Sequence, residues 1–296
     1  MKYFFKQLLI FTLPIFLVLN FCFILDFIYH KLISSFKLNE GINKLIIGDS
    51  HTQLAIDDKL LPNSQNLCQS AEGLIFTYYK LNFLLNTNNK IDSILLGFSY
   101  HSLSSYYNRT IFNPSITANY FFILPANVQF EFIAKNNMNI FTLLQKSIKQ
   151  GVTNLFTKQN YSCIGNYDII KTDSIMSEKT ILERINDQYY TNGKINDFSE
   201  SNLYYYNQIV KLCKSKVIKL IILSTPMHPN YKGKIPCKFQ TKLSSLTNNP
   251  KNLFIDFDGL KLDDIDFLPD GDHLARTGAE KTTNYLIWYF KKNHQD

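Results

Sequence analysis

The stretch that most constrains this chain is a short aliphatic run leading straight into Gly48-Asp49-Ser50. Lys44-Leu45-Ile46-Ile47 has three aliphatic residues in a row, the pattern of a short buried strand, and the glycine, acid and serine that follow break it into a sharp turn. Such a turn sets Ser50 at the carboxyl edge of a sheet, where open α/β sheets bind ligands, and makes its hydroxyl a candidate nucleophile. A serine hydroxyl needs a base to take its proton. The best candidate lies far downstream, in Phe267-Leu268-Pro269-Asp270-Gly271-Asp272-His273-Leu274, just before a final helical pattern. Ser50, His273 and Asp270 form a candidate triad. Asp272 is a competing partner for His273, but adjacent side chains diverge, so Asp270 comes first. Each motif alone is also a common turn. Together, one closing the first strand and the other preceding the last helix, they suit a doubly wound sheet whose first and last units bring their loops to one crevice.

The pattern between these motifs is α/β. Ala55 to Asn63 reads as a connection, Gln65 to Leu67 as a brief second strand, and Gly73 to Leu85 as an amphipathic helix with Leu74, Tyr78, Leu81 and Leu85 on one face. Ile91 to Leu96 is a third strand. Ser201 to Lys216 is a second amphipathic helix leading into an aliphatic strand, Val217 to Leu223, and Asn252 to Asp256 is a short last strand before the His273 loop and a closing helix, Leu274 to Phe290. Strands alternating with helices predict a parallel sheet. From about 101 to 200 both periodicities blur over a length far beyond an ordinary connection. Helical stretches such as Asn136 to Lys149 and loop-like ones such as Thr157 to Asp173 mark this as a helical insertion over the crevice, a place to set specificity. Its aromatics (Tyr100, Tyr106, Tyr107, Tyr120, Phe121, Phe122) either stack on sugar rings or serve as ordinary core and cover residues.

Residues 1–36 form a separate unit. Leu8 to Leu25 contains no charge and is preceded by Lys2 and Lys6. The run approaches the roughly 20 residues of a bilayer span. No small-residue cleavage site follows, since Phe27-Ile28-Tyr29-His30 is bulky, so the run reads as an uncleaved signal anchor. The lysines before it favour an inside N-terminus and place residues 37–296 outside a cytoplasmic membrane as a single-pass protein; Lys31 and Lys37 weaken that bias. Pro14 is tolerable in such a helix and should kink it.

Bulk properties exclude some classes. The net charge of +7 is spread over single lysines without an arginine-rich stripe, which argues against a nucleic-acid partner. The five cysteines (Cys22, Cys68, Cys163, Cys213, Cys237) form no pair or cluster with metal spacing, and neither a metal nor another cofactor is expected. A Cys163–Cys237 disulfide stays open for an exported body. Two further histidines flank the candidate triad. His51, beside the nucleophile, points away from Ser50 in most turn geometries and reads as a supporting or substrate contact. His228, in Ser224-Thr225-Pro226-Met227-His228-Pro229, is placed to line the cleft, and is a weaker base because it lacks a nearby carboxylate.

On these residues the chain resembles the SGNH (GDSL-like) hydrolase superfamily, particularly its membrane-anchored members linked to O-acylation of cell-surface polysaccharides. Gly48-Asp49-Ser50 matches the first block of that family and Asp270-Gly271-Asp272-His273 the last, in outline over residues 43 to 292. The resemblance implies a flavodoxin-like three-layer α/β/α fold and a serine esterase or O-acyltransferase acting on ester-linked acyl groups, with Ser50 as nucleophile. It also implies an acylated glycan as substrate and a multi-span membrane acyltransferase as partner. The second block maps onto Gln69-Ser70-Ala71-Glu72-Gly73, so Gly73 would lend an oxyanion N–H. The third block departs from the family: Leu96-Gly97-Phe98-Ser99-Tyr100-His101 has no Asn, and Ser99 would have to donate instead. That departure keeps open a catalytically inactive SGNH-like module that binds a glycan or partner.

Overall fold

The computed structural model describes residues 1–28, 38–88, 90–111, 113–135, 145, 149, 165–171, 176–248, 253–257 and 259–293. The expected Asn136 to Lys149 helix and Thr157 to Asp173 loop lie largely outside these residues. So do Cys163 and the linker after residue 28.

Contacts divide the chain into two compact units, residues 38–111 with 164–296, and residues 1–37 with 112–163. The first is an α/β unit whose elements run β1 (Lys44–Ile47), α1 (Ser50–Ala55), β2 (Ser64–Asn66), α2 (Leu74–Thr87), β3 (Ser93–Gly97), α3 (Tyr106–Thr110), α4 (Glu178–Tyr189), β4 (Tyr190–Thr191), β5 (Lys194–Ile195), α5 (Glu200–Ser215), β6 (Lys219–Leu223), α6 (Pro229–Lys232), α7 (Cys237–Thr247), β7 (Leu253–Ile255) and α8 (Arg276–Asn293). Five strands form one parallel sheet in the order β2-β1-β3-β6-β7. Pairing sets Leu45, Ile94 and Leu220 in one row and Ile46, Leu95, Ile221 and Leu253 in the next.

Successive rows point to opposite faces, and both faces are buried, which is why the strands read as continuous aliphatic runs rather than alternating ones. Ile46, Leu95, Ile221, Leu223 and Ile255 pack with Ala55 of α1 and Leu286 of α8. At roughly 1.5–3 kcal/mol per fully buried aliphatic side chain, this layer is a main source of stability. α2 packs against α5, and the Phe98 and Tyr206 rings stack with centroids 4.5 Å apart. β4 and β5 form a hairpin whose turn residues, Asn192 (φ 52°) and Gly193 (φ 74°), are left-handed as a two-residue hairpin turn requires. The Asn-Gly pair is the sequence signal for it.

The second unit contains a helix Lys2–Ile28 with Pro14 inside it, and the helices Pro114–Tyr120 and Ala126–Lys135. The first of these is long and apolar enough to cross a membrane. Residues 101–111, and those described between 165 and 200, belong with the sheet.

Candidate active site

Gly48 leaves β1 with φ 148°, a conformation that favours glycine, and a Cβ added there would stand 3.2 Å from the Cα of Gly97 at the end of β3. Asp49 then caps α1, its Oδ1 accepting from the His51 N–H at 3.0 Å. Ser50 is the first residue of that helix and is half-buried.

The partner loop is a tight turn in which Asp270 serves twice. Its Oδ1 accepts from the backbone N–H groups of Asp272 (3.0 Å) and His273 (3.1 Å), while its Oδ2 accepts from His273 Nδ1 at 2.7 Å. A carboxylate only accepts, so Nδ1 carries the proton and Nε2 presents its lone pair to the Ser50 hydroxyl, 2.9 Å away. Burial pushes the Asp270 carboxyl up, but the hydrogen bond and charge of His273, together with the Asp272 backbone N–H, hold the group below its ordinary value. Ser50, His273 and Asp270, chosen from two short motifs, stand together as a hydrogen-bonded chain.

Asp272 is fully buried and takes partners other than His273. It meets His51 Nε2 in an ion pair at 2.8 Å, Arg184 Nε at 2.8 Å and Gln188 Nε2 at 2.8 Å. Burial opposes its ionisation, but His51 and Arg184 pull it well below the usual carboxylate range. Two further contacts fix the loop: Thr180 Oγ1 donates to the Pro269 carbonyl at 2.6 Å, and the His228 N–H to the Gly271 carbonyl at 2.9 Å.

On the other side, Asp49 holds His51 Nδ1 (3.2 Å), His101 Nε2 (2.8 Å) and the Tyr107 hydroxyl. Against the effect of burial, His101 and His51 pull Asp49 well down. Burial and the charge of His51 push His101 below its ordinary value. The rings of His101, His51 and His273 form a stack, with centroid separations of 3.5 Å and 4.4 Å and interplanar angles of 17° and 23°. Asp49, His51 and His101 bring their ligand atoms within 4.8 Å of one another, as do His51, Asp272 and His273. The contacts recorded between these rings and carboxylates are ion pairs.

The remaining sequence candidates lie at varying distance from this chain. Ser99 is buried, its hydroxyl 2.9 Å from that of Ser224. Gly73 caps α2, where an added Cβ would meet Ile111 and Asn202. Its loop is tied to the nucleophile helix through Gln69 N–H to the Gly48 carbonyl (3.1 Å) and Ser70 Oγ to Gln53 Oε1 (2.8 Å). The buried Lys80–Glu72 pair at 2.7 Å anchors the same loop. His228 has a carboxylate after all: Asp264 Oδ1 lies 3.1 Å from Nε2, while Nδ1 accepts from the Asn230 N–H. Both ring nitrogens are engaged there, and the ring packs edge-on against Phe267. Tyr107 and Tyr120 are buried, so neither presents a ring face to a sugar. Tyr100 lines a cavity of roughly 430 Å³ along the carboxyl edge past β6 and β7.

Sequence reasoning missed His101, Arg184 and Gln188, and read Tyr107 for its ring rather than for its hydroxyl on Asp49. The signal in their case is weak, a lone histidine after the third strand and an i, i+4 Arg–Gln spacing on an unassigned helix. No protein-family model matches the chain, and no curated protein does.

Proposed function

We propose that the chain is a membrane-anchored, SGNH-like serine esterase or O-acyltransferase acting on ester-linked acyl groups of a cell-surface polysaccharide. The observation that carries this reading is the Ser50–His273–Asp270 chain at the carboxyl edge of β1. The sheet order β2-β1-β3-β6-β7 supports the flavodoxin-like part of this reading, since such sheets bind ligands at the switch point between the first and third strands.

In this reading His273 Nε2 takes the Ser50 proton as Oγ attacks the ester carbonyl, and Asp270 orients the imidazole and stabilises its charged form. The developing oxyanion is met by the Ser50 N–H, which as the first of a helix has no partner within it, and by the Gly73 N–H. The alcohol leaves with the proton from His273, giving an acyl-enzyme. Water then completes hydrolysis, whereas a sugar hydroxyl completes transfer. The N-terminal helix would hold the body at the outer face of a cytoplasmic membrane, beside a multi-span acyltransferase that supplies the acyl group.

A second reading, an inactive glycan- or partner-binding module, is favoured by Ser99, which stands where the family has Asn and is turned to Ser224. Reaction of Ser50 with a fluorophosphonate separates the two, because only an activated serine labels.

A further inference from the structure

The triad leaves the buried imidazole of His51 without a task. His51 follows the nucleophile directly, is 3% exposed, and has a carboxylate at each ring nitrogen, Asp49 at Nδ1 and Asp272 at Nε2. Two carboxylates this near the ring nitrogens, at 3.2 Å and 2.8 Å, favour the charged form of a buried ring, an imidazolium. The other charged or titratable groups around it are His101 and Tyr107 on the Asp49 side, Arg184 on Asp272, and His273 with Asp270 across the stack.

The geometry points to His51 as a positioning residue: a fixed cation that ties the helix carrying Ser50 to the loop carrying His273 and forms the flat floor on which the His273 ring lies. Only the catalytic consequence rests on the serine reading above; the charge and the stacking do not. The floor has two effects. It fixes the His273 plane on the line from Ser50 to Asp270, and its positive charge, one ring away, opposes a second positive charge on the resting base. Removing that charge would leave Asp49 and Asp272 less balanced, and both would then favour a protonated His273.

The test uses the full chain in detergent, with its histidine ring nitrogens followed by NMR against pH. In the wild type, His51 carries a proton on both nitrogens at pH 7.5. In His51→Gln the pH at which fluorophosphonate labelling reaches its plateau moves up. A neutral His51 in the wild type at pH 7.5 overturns the inference, as does an unmoved labelling profile in a folded His51→Gln. The wild-type measurement needs no variant and decides the matter if His51→Gln does not fold. Failure of the serine reading is seen separately, as wild-type protein that never labels.

Discussion

Thr52 Oγ1 fills the space over Gly97: a Cβ added to Gly97 would stand 1.8 Å from it and 2.8 Å from Thr52 Cβ. The helix that begins at Ser50 therefore rests on bare backbone at the end of β3. Gly97→Ala must lift that helix, at a cost of about 1–3 kcal/mol for an overpacked site. We expect a lower urea midpoint and, in the protein that remains folded, slower labelling of Ser50. Thr52→Ala in the same chain should relieve only part of this, since its Cβ stays.

Two acids two residues apart have different tasks. Asp272→Ala leaves the His51 and Arg184 cations without their buried partner, and breaking such a pair costs about 3–5 kcal/mol. Equilibrium denaturation should show that loss. Asp270→Asn keeps the fold, yet offers His273 the wrong hydrogen-bond partner, and labelling should fall by roughly 10³–10⁴-fold.

Stability should also depend on pH through His51. Burial alone would push its midpoint down, but Asp272 and Asp49 raise it from 6.5 to about 9. A group held more basic when folded stabilises fully below its unfolded midpoint and loses that contribution as pH rises through the folded one. The loss runs from about pH 6.5 to 9 and is on the order of 3 kcal/mol. Asp49 and Asp272, held well below 3.8, act in the opposite sense: their contribution is present above that value and disappears in stronger acid. Denaturation across pH should give a plateau between about 4 and 6.5 with a decline on each side; a flat profile from 6.5 to 9 would remove the charge from His51.

How much of this was legible depended on how local each signal was. β1, β3 and β6 are buried on both faces, so their aliphatic runs could be read directly. Asp270 and His273 close a turn on themselves and are visible as a spacing. Arg184, Gln188 and His101 reach Asp272 and Asp49 only because a helix and a short turn from distant parts of the chain pack there, and no spacing records that. The same holds for Asp264 beside His228, 36 residues away in sequence. Boundaries shifted for local reasons: β6 starts at Lys219 because Val217 is left-handed (φ 56°) and 92% exposed.

Topology has a direct probe in Cys237, which is exposed. With the body outside the cytoplasmic membrane, a membrane-impermeant maleimide added to intact, reduced cells should label the wild type more heavily than Cys237→Ser. Equal labelling before lysis and a difference only after it would place the body inside.

The central claim is an activated serine at position 50. Full-length protein in detergent, treated with a fluorophosphonate and mapped by mass spectrometry, should carry the adduct on Ser50, and Ser50→Ala and His273→Ala should both abolish it. A folded wild type that stays unmodified, or an adduct that persists in His273→Ala, would contradict the account and favour the binding module.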